Sequence, residues 1–397
     1  MSVFSAVPLA PRDPILGLTE AYAADPNPAK VNLGVGVYQD SSGRLPLLEC
    51  IRQADQRLAA DPKPRGYLPI DGLAGYDAAV KQLVFGADSP LLDRVVTVQA
   101  LGGTGALKVG ADFLRRSDPD ATVLISDPSW ENHEALFTRA GFTVGTYRYY
   151  DPEARGVDFD GMLADLAAAP SGTIVVLHAC CHNPTGYDLT EGQWNQVLET
   201  VQSAGLVPFL DMAYQGFSES LEADGRIVRR FAESGLAVLV STSFSKSLGL
   251  YGERVGALSL VCADAEEAAR VLSQGKIAIR TNFSNPPTHG AKLAATVLTD
   301  PELRTLWVDE LGAMRDRIKA MRLRLVAGLE AAGVADMGFI ATQVGMFSYS
   351  GLSQPQMLAL REQHGVYGTD KGRICVAALN DGNVDYVCRA IAAVRGA

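Results

Sequence analysis

The amino-acid sequence predicts an α/β fold: a large domain with a mainly parallel seven-stranded sheet flanked by helices, and a smaller mixed α/β domain formed by both chain termini. Three observations predict this class. The chain has 397 residues, which is too long for one ordinary compact core. Short apolar runs alternate with helical segments from about residue 95 onward. This alternation stops near residue 285.

Seven apolar runs predict the strands of the sheet. They are rich in valine, leucine and isoleucine and alternate little, as expected for strands buried on both faces. The runs are residues 95–99, 122–126, 142–147, 173–177, 206–210, 237–241 and 256–261. Helical segments separate most of them, for example 104–115, 158–168 and 191–204. Such alternation gives a mainly parallel sheet, whose ligands collect at the carboxyl ends of the strands.

Both ends of the chain differ from this pattern. Residues 302–332 form a long helical stretch with interleaved charge, and residues 13–44 precede the main alternation. We therefore expect an N-terminal arm and part of a small domain at 1–45 and a large domain at 46–300. The rest of the small domain, with a long connecting helix, is expected at 301–397.

Composition excludes several classes of partner. The formal net charge is −10, so no basic stripe is available to release counterions from a nucleic acid. No apolar run approaches the roughly 18 residues of a membrane span, and residues 1–14 do not resemble a signal peptide. The six cysteines, which include the adjacent Cys180 and Cys181, match no zinc-site spacing. We expect a cytoplasmic protein with reduced thiols, no metal, no membrane and no nucleic-acid partner.

The strongest local signal surrounds Lys246, which follows a buried strand. A lysine that forms a Schiff base must lose its proton, and a partly desolvated site near other cations lowers its pKa. Ser243, Ser245 and Arg254 supply hydroxyl and guanidinium groups for a phosphate. Taken alone, a lysine at a strand end is more often a solvated surface residue.

A second signal, Asp211 with Tyr214, follows the strand at 206–210. A buried carboxylate can keep a proton on the ring nitrogen of a pyridine cofactor, and a phenol can hydrogen-bond the ring hydroxyl oxygen. An aspartate after a strand is, however, equally compatible with a helix N-cap.

Two weaker motifs also follow strands. The glycine-rich segment 101–107 opens a helix whose N-terminus favours phosphate, although it is neither a dinucleotide fingerprint nor a P-loop. Asn183 lies in the segment 182–186, which has the composition of a turn. Its amide could donate to a ring hydroxyl, or the segment could be only a turn.

Together these motifs resemble the aspartate/aromatic aminotransferase family, the class I aminotransferases among fold-type-I pyridoxal-phosphate enzymes. The resemblance extends from residues 31–38 to 372–374. Its distinctive motifs are S-F-S-K-S-x-G-L-Y-x-E-R-V-G at 243–256, C-C-H-N-P-T-G at 180–186 and N-F-S-N-P-P-x-H-G at 282–290. It implies pyridoxal 5'-phosphate as cofactor and a ping-pong transfer of an amino group between amino acids and 2-oxo acids.

The resemblance implies a role for each matching residue. Lys246 would bind the cofactor covalently and then act as general base and acid, while Asp211 pairs with the ring nitrogen. Asn183 and Tyr214 would contact the ring oxygen. Trp130 would stack on the ring, with plain core packing as the alternative. The phosphate would be held by Gly103, Thr104, Ser243, Ser245, Arg254 and a partner subunit's copy of Tyr67.

Further matching residues concern the surroundings of the ring and the substrate. His133 and His178 would lie near Asp211. Arg373 would bind the substrate α-carboxylate in a bidentate fork, assisted by Asn183 and the region of Gly36. Without the surrounding motif, Arg373 would be interpreted as a surface ion-pair residue.

A second arginine concerns dicarboxylic substrates. Arg280 would come from a partner subunit and bind the distal carboxylate, although alone it too would be interpreted as a surface residue. If Tyr67 and Arg280 cross over in this way, the active unit is a homodimer with shared active sites.

Aspartate-specific and aromatic-accepting members share nearly all these residues, and the mouth of the pocket distinguishes them. The positions there are Val37, Gln39, Leu45, Gly66, Thr104 and Asn285. Leu45 and Gln39 favour aromatic rings, Thr104 and Asn285 resemble aspartate enzymes, and Gly66 departs from both. We expect activity on aspartate, glutamate and aromatic amino acids. The alternatives are a mainly tyrosine/phenylalanine enzyme, a lyase or decarboxylase, and a catalytically silent binding protein.

Overall fold

The structure is a computed structural model that describes residues 2–10 and 15–396. Residues 11–14, where the predicted small-domain segment 13–44 begins, and the two terminal residues lie outside the described residues. Within the described ranges, we find no helix with the length and apolarity that a membrane crossing requires.

Fourteen α-helices occur in the described part of the chain. They are α1 (Leu16–Ala24), α2 (Glu49–Ala60), α3 (Ala74–Phe85), α4 (Gly102–Ser117), α5 (Glu131–Arg139), α6 (Phe159–Ala168), α7 (Glu191–Ala204), α8 (Leu221–Asp224), α9 (Arg226–Glu233), α10 (Ala265–Asn282), α11 (His289–Thr299), α12 (Pro301–Ala331), α13 (Gln354–His364) and α14 (Val384–Arg395). Local chemistry sets their ends. Thr190 and Gln193 form a capping box at the start of α7, and Gly205 ends that helix in the left-handed conformation, with φ of 65°.

Thirteen strands occur in the same described ranges. They are β1 (Val31–Asn32), β2 (Val95–Leu101), β3 (Thr122–Asp127), β4 (Thr143–Arg148), β5 (Tyr150–Asp151), β6 (Gly156–Val157), β7 (Ile174–His178), β8 (Val207–Met212), β9 (Val238–Ser243), β10 (Val255–Val261), β11 (Phe347–Tyr349), β12 (Val366–Tyr367) and β13 (Arg373–Cys375). Seven of them form one sheet in the order β2-β10-β9-β8-β7-β3-β4. Only β10 runs antiparallel to its neighbours. The predicted mainly parallel seven-stranded sheet is confirmed.

The chain divides into two compact units. The larger unit comprises residues 45–319 and 342–346 and contains the seven-stranded sheet. The smaller unit comprises the described residues of 1–44, 320–341 and 347–397. It contains two short strand pairs, β1 with β12 in parallel and β11 with β13 antiparallel.

The core of the larger unit forms around the buried faces of the sheet. All residues of β7, β9 and β10 are buried, as predicted from their continuous apolar runs. Helix α4 approaches the sheet closely at Gly110, where an added Cβ would lie 2.6 Å from the ring of Phe209. Apolar surface removed from water here stabilises the arrangement that holds the strand ends in place.

The pairing of neighbouring strands aligns their carboxyl ends. His178 of β7 pairs with Asp211 of β8, and Asp211 pairs with Ser241 of β9. Because these strands are parallel, the segments that follow them emerge at the same edge of the sheet. Those segments contain Asn183, Tyr214 and Lys246, so the fold gathers the predicted chemistry at one edge.

We expect Gly256→Ala to lower the free energy of unfolding by about 1–3 kcal/mol, because overpacked sites must shift their surroundings. An added Cβ at Gly256 would lie 2.4 Å from the carbonyl carbon of Gly102 and 2.7 Å from the carbonyl oxygen of Thr242, which are rigid backbone atoms. Chemical denaturation of both proteins measures the difference. The matched control is Gly275→Ala in α10, where a Cβ meets nothing within 4 Å. We expect this change to raise the free energy of unfolding by about 0.5–1 kcal/mol. Equal stabilities of the two variants would contradict the packing argument.

Candidate active site

Lys246 lies half-buried in the turn that follows β9. Two contacts fix this turn: the amide of Gly249 donates to the carbonyl of Lys246 at 3.1 Å, and the indole of the buried Trp307 donates to the carbonyl of Ser247 at 2.7 Å. The amine Nζ of Lys246 lies 4.6 Å from the centre of the Tyr214 ring. The turn therefore holds the lysine amine against the segment that follows β8.

Asp211 is a buried carboxylate near the end of β8. Its Oδ2 lies 3.0 Å from Nε2 of His133, which donates to it, and Nδ1 of the same ring lies 2.9 Å from the hydroxyl of Ser129. Burial acts to raise the pKa of Asp211, but the hydrogen bond from His133 and nearby charges, including Lys246, outweigh it. The pKa of Asp211 is therefore lowered, and the carboxylate is ionised at neutral pH.

His178 flanks this pair as a neutral ring. Its ring centre lies 5.0 Å from that of His133, and burial lowers its pKa to about 3. Neither ring nitrogen has a hydrogen-bond partner in the described part of the chain. The rings of Trp130 and His133 also pack edge to face, with a centroid distance of 5.2 Å. The donor to Asp211 is thus enclosed by rings that carry no charge.

The turn that carries Asn183 is also held from both sides. The ring of His182 lies 2.9 Å from the hydroxyl of Ser126 and 2.8 Å from that of Thr185, and it stacks on Tyr149 at 3.9 Å. Ser126, Thr185 and Tyr149, the partners of this ring, are all buried. Asn183 itself is 4% exposed. Its side chain is therefore shielded from solvent.

Cationic and hydroxyl groups converge at the N-terminus of α4. The first-turn amides of this helix have no side-chain cap. A Cβ at Gly102, whose φ is +66°, would lie 2.7 Å from the guanidinium of Arg254, and a Cβ at Gly103 would lie 3.3 Å from Cβ of Ser243. Nη1 of Arg254 lies 3.4 Å from the hydroxyl of Ser245. Uncapped amides, a guanidinium and hydroxyls together form a cradle for an anion.

These groups fit pyridoxal phosphate. The ionised carboxylate of Asp211 suits a protonated ring nitrogen, the amine of Lys246 suits an aldehyde, and the cradle suits a phosphate. Thr104 lies in the first turn of α4, beside the cradle. The glycines leave the close approach to Arg254 and Ser243 open, which larger residues would fill.

In the smaller unit, Arg373 is 2% exposed and rigidly placed. Its Nη2 donates to the carbonyl of Gly34 at 2.8 Å, and its guanidinium lies 4.3 Å from the centre of the Phe347 ring. Gly36 borders the same ring, where an added Cβ would lie 2.6 Å from Phe347. The bound guanidinium and the adjacent glycine form a preorganised group within this unit.

Two predicted residues are not joined to the others. The side chain of Tyr67 is 95% exposed, and the exposed guanidinium of Arg280 donates to the hydroxyl of Ser284.

Sequence reasoning missed several residues that position the site. It did not single out Ser129 as the partner of His133, although a spacing of four at a helix start is a usable signal. It also missed Ser126 and Tyr149 around His182, and Phe347 beneath Arg373. The contacts of Ser126 and Tyr149 with His182, and of Phe347 with Arg373, join separate parts of the chain, so no local pattern indicated them.

Comparison with known proteins gives concordant results. A family model described as aminotransferase class I and II matches residues 28–391. An aspartate aminotransferase of Pseudomonas aeruginosa is 59% identical over 99% of this chain and 100% of its own length. An aromatic-amino-acid aminotransferase of Escherichia coli is 50% identical, again over 99% and 100%. The crystal structure of an aromatic-amino-acid aminotransferase from Burkholderia pseudomallei, covalently bound to pyridoxal phosphate, has a TM-score of 0.97 and 63% identity over 99% of this chain and 100% of that one.

The hydrogen bond from His133 to Asp211 generates a pH-dependent prediction. Asp211 has a lowered folded-state pKa, so it contributes stability above its unfolded pKa, and this contribution is lost as the pH falls through the folded pKa. In His133→Asn the Nε2 donor is removed, so we expect the pKa of Asp211 to rise. At pH 7 the free energy of unfolding should fall by about 1–3 kcal/mol, because a buried charge loses its partner. The deficit should shrink as the pH falls through the raised pKa of Asp211 in the variant, and it should vanish only below the lowered pKa of Asp211 in the unmutated protein, where both folded proteins bind the proton.

Chemical denaturation of the cofactor-free protein across this pH range checks the prediction. His133→Gln, whose amide reaches the Nε2 position, should restore part of the loss. The matched surface control is His289→Asn, because His289 is exposed and pairs only with Asp55 at 3.4 Å. It should change stability by less than about 1 kcal/mol. A deficit in His133→Asn that does not depend on pH would show that the loss is only a packing effect.

Proposed function

Because the chain belongs to the class I and II aminotransferase family, we propose that it transfers an amino group between aspartate or glutamate and 2-oxo acids such as 2-oxoglutarate and oxaloacetate. It is a pyridoxal-phosphate-dependent transaminase. The observation that carries the proposal is the ionised, buried carboxylate of Asp211 at the same sheet edge as the amine of Lys246. Cofactor attachment and turnover of Lys246 variants test it, as set out below.

When bound, pyridoxal phosphate supplies an aldehyde carbon for the amino group and a ring that accepts the electron pair left when the substrate loses its α-proton. We assign the residues around it accordingly. Asp211 holds a proton on the ring nitrogen, since an ionised carboxylate stabilises a pyridinium. Tyr214 and Asn183 hydrogen-bond the ring oxygen, and Trp130 covers one ring face.

Lys246 moves the proton in this proposal. Nζ of Lys246 would take the proton from the substrate α-carbon, acting as general base. The same nitrogen would return a proton as general acid when the amino group is transferred. The buried hydrogen bond from Trp307 to the carbonyl of Ser247 limits how far this turn can move. Because both substrates use one site in succession, the kinetics are ping-pong.

The cradle at α4 anchors the phosphate without taking part in proton transfer. Gly103 and Thr104 offer backbone amides, and Ser243, Ser245 and Arg254 offer side-chain donors, all of which suit a dianionic group. Anchoring at this end leaves only small movements for the ring. The amino group would therefore pass between substrate and cofactor while the phosphate end of the cofactor stays in place.

Substrate carboxylates are assigned to arginines. The preorganised guanidinium of Arg373, with Gly36 beside the same phenyl ring, suits the α-carboxylate that all substrates share. Arg280 is assigned to the distal carboxylate of aspartate and glutamate. We also propose activity on aromatic amino acids, because Leu45 is apolar and Gln39 removes a positive charge at the pocket mouth. Similar proteins include both aspartate and aromatic-amino-acid enzymes.

We propose that the active unit is a homodimer in which Tyr67 and Arg280 each serve the partner's site. The exposed positions of both side chains support this, since an exposed side chain is available to a partner subunit. Leu45 and Leu47, 49% and 69% exposed, add exposed apolar surface. Exposed apolar side chains of this size favour association with another surface.

A cytoplasmic location is part of the same proposal. All six cysteines are buried and none is paired in a disulfide. This arrangement is typical of proteins in a reducing compartment.

We expect Lys246→Ala to lose covalent attachment of the cofactor and nearly all turnover. Loss of a positioned general base alone lowers the rate by about 10²–10⁴-fold. After borohydride reduction, mass spectrometry should show the mass of the cofactor added to the wild-type chain and an unchanged mass for the variant. Lys276→Ala is the matched control, because its Nζ contacts only the carboxylate of Asp71 at 2.9 Å. Reductive attachment to Lys246→Ala would contradict the assignment.

We expect Arg280→Ala to lower kcat/KM for aspartate by about 10–100-fold, the cost of removing a hydrogen bond to a charged group. The value for phenylalanine, which has no distal carboxylate, should change by less than about threefold. Arg270→Ala, on the same helix and paired with Glu266 at 3.7 Å, is the control.

In the unmutated enzyme, kcat/KM for phenylalanine should exceed about a thousandth of that for aspartate, a gap of ~4 kcal/mol.

Mixing two variants impaired in aspartate turnover tests whether Arg280 crosses between subunits. In a hybrid of Lys246→Ala and Arg280→Ala chains, one site would combine a native Lys246 with a native Arg280 from the other chain. Subunit exchange should therefore restore aspartate turnover. If Arg280 acts within its own chain, every hybrid site lacks either Lys246 or Arg280. Aspartate turnover of the mixture then stays at the level of the separate variants.

A further inference from the structure

A polar cavity of about 180 Å³ lies in the larger unit, beside the start of α7 and the segment 218–227. Its lining includes the thiol-bearing Cys180 and four carboxylate residues, Asp188, Glu191, Glu219 and Asp224. Arg226 is the one lysine or arginine in this lining. The cavity therefore has a negative lining that favours a cation.

Three metal-ligating side chains lie close together here, and two of them, Cys180 and Asp224, line the cavity. The thiols of Cys180 and Cys181 and a carboxylate oxygen of Asp224 all lie within 4.8 Å of one another. All three residues are at least nine-tenths buried, with exposures of 5%, 3% and 6%. Ligands of a single tetrahedral zinc ion lie about 2.0–2.3 Å from the metal, and therefore roughly 3.5–4 Å from one another. Small side-chain rotations would bring this group to that spacing.

The negative charges around the two thiols also favour a bound cation. The carboxylates of Asp188 and Asp224 both act electrostatically on the thiols of Cys180 and Cys181. The two thiols are thus held beside negative groups that disfavour thiolates. A bound divalent cation reverses this balance, because it stabilises thiolates and carboxylates together.

Backbone amides fix the carboxylates that surround the thiols. Oδ2 of Asp224 accepts hydrogen bonds from the amides of Gly216 and Ser218, at 2.8 and 3.0 Å. Asp188 accepts from the amides of Cys181 and His182, at 2.7 and 2.8 Å. Oriented ligands of this kind are what metal sites require, since the supporting hydrogen bonds set ligand geometry.

We propose that Cys180, Cys181 and Asp224 bind one thiophilic divalent cation of the zinc class. Two sulfur ligands select such a metal over magnesium or calcium, and the cavity leaves a fourth position for water or a small ligand. A second group, His133, His178 and Asp211, could also hold a metal, but it belongs to the cofactor site already described. The proposed site does not depend on the assigned reaction.

Cadmium titration of the cofactor-loaded protein tests the proposal. After removal of metals with a chelator, CdCl₂ is added in a thiol-free buffer while the ultraviolet thiolate-to-cadmium absorbance and the visible absorbance of the cofactor are recorded. We expect saturation at one cadmium ion per chain, displacement by ZnCl₂, and an unchanged cofactor spectrum. Cys180→Ala should weaken cadmium binding at least about tenfold. Cys262→Ala, at another buried cysteine in the same unit, should bind cadmium normally.

Several outcomes would overturn the proposal. They are the absence of the thiolate-to-cadmium absorbance, equal binding by Cys180→Ala, and a cofactor spectrum that changes in step with added cadmium. The last result would place the metal at the cofactor instead. Circular dichroism and turnover of Cys180→Ala should match the unmutated protein, and Cys181→Ala provides the same test if Cys180→Ala does not fold.

Discussion

The site depends on keeping one buried carboxylate ionised. Burial of Asp211 works against its charge, and the hydrogen bond from His133 compensates for this. That bond needs the ring of His133 in one orientation, which Ser129 and the packed edge of Trp130 provide. A charge enclosed in this way can hold a proton on a bound ring without competition from water. The surrounding rings, helix α5 and the end of β8 all contribute to this one electrostatic condition.

Much of the fold and many of the site residues could be predicted from local sequence patterns. Continuous apolar runs predicted all seven strands of the main sheet. The argument from burial on both faces holds best for β7, β9 and β10, whose residues are all buried, and least for the edge strand β4. The segments after β7, β8 and β9 were predicted as functional because polar residues follow buried strands there. Their meeting at one edge follows from parallel pairing, for which His178 opposite Asp211 is the direct observation.

Contacts between distant segments could not be predicted in this way. Ser126 holds His182 across 56 residues, and Asp224 lies beside Cys181 although 43 residues separate them in the chain. The adjacent cysteines seemed ordinary in sequence, since a metal site is recognised from spacing only when its ligands are close in the chain. The exposed Tyr67 and Arg280 have the opposite difficulty. Their motif matches were clear, but the partners proposed for them belong to a second chain.

The single antiparallel strand has a consequence for how the cofactor can be adjusted. Because β10 reverses direction after the Lys246 turn, Arg254 returns to the sheet edge from which the lysine emerges, within one short hairpin. The Gly102 amide bonds to the carbonyl of that same arginine at 3.0 Å. If Arg254 binds the phosphate and Lys246 the aldehyde, as proposed, one hairpin carries both groups. A substitution that shifts this hairpin would then alter phosphate binding and the position of the amine together.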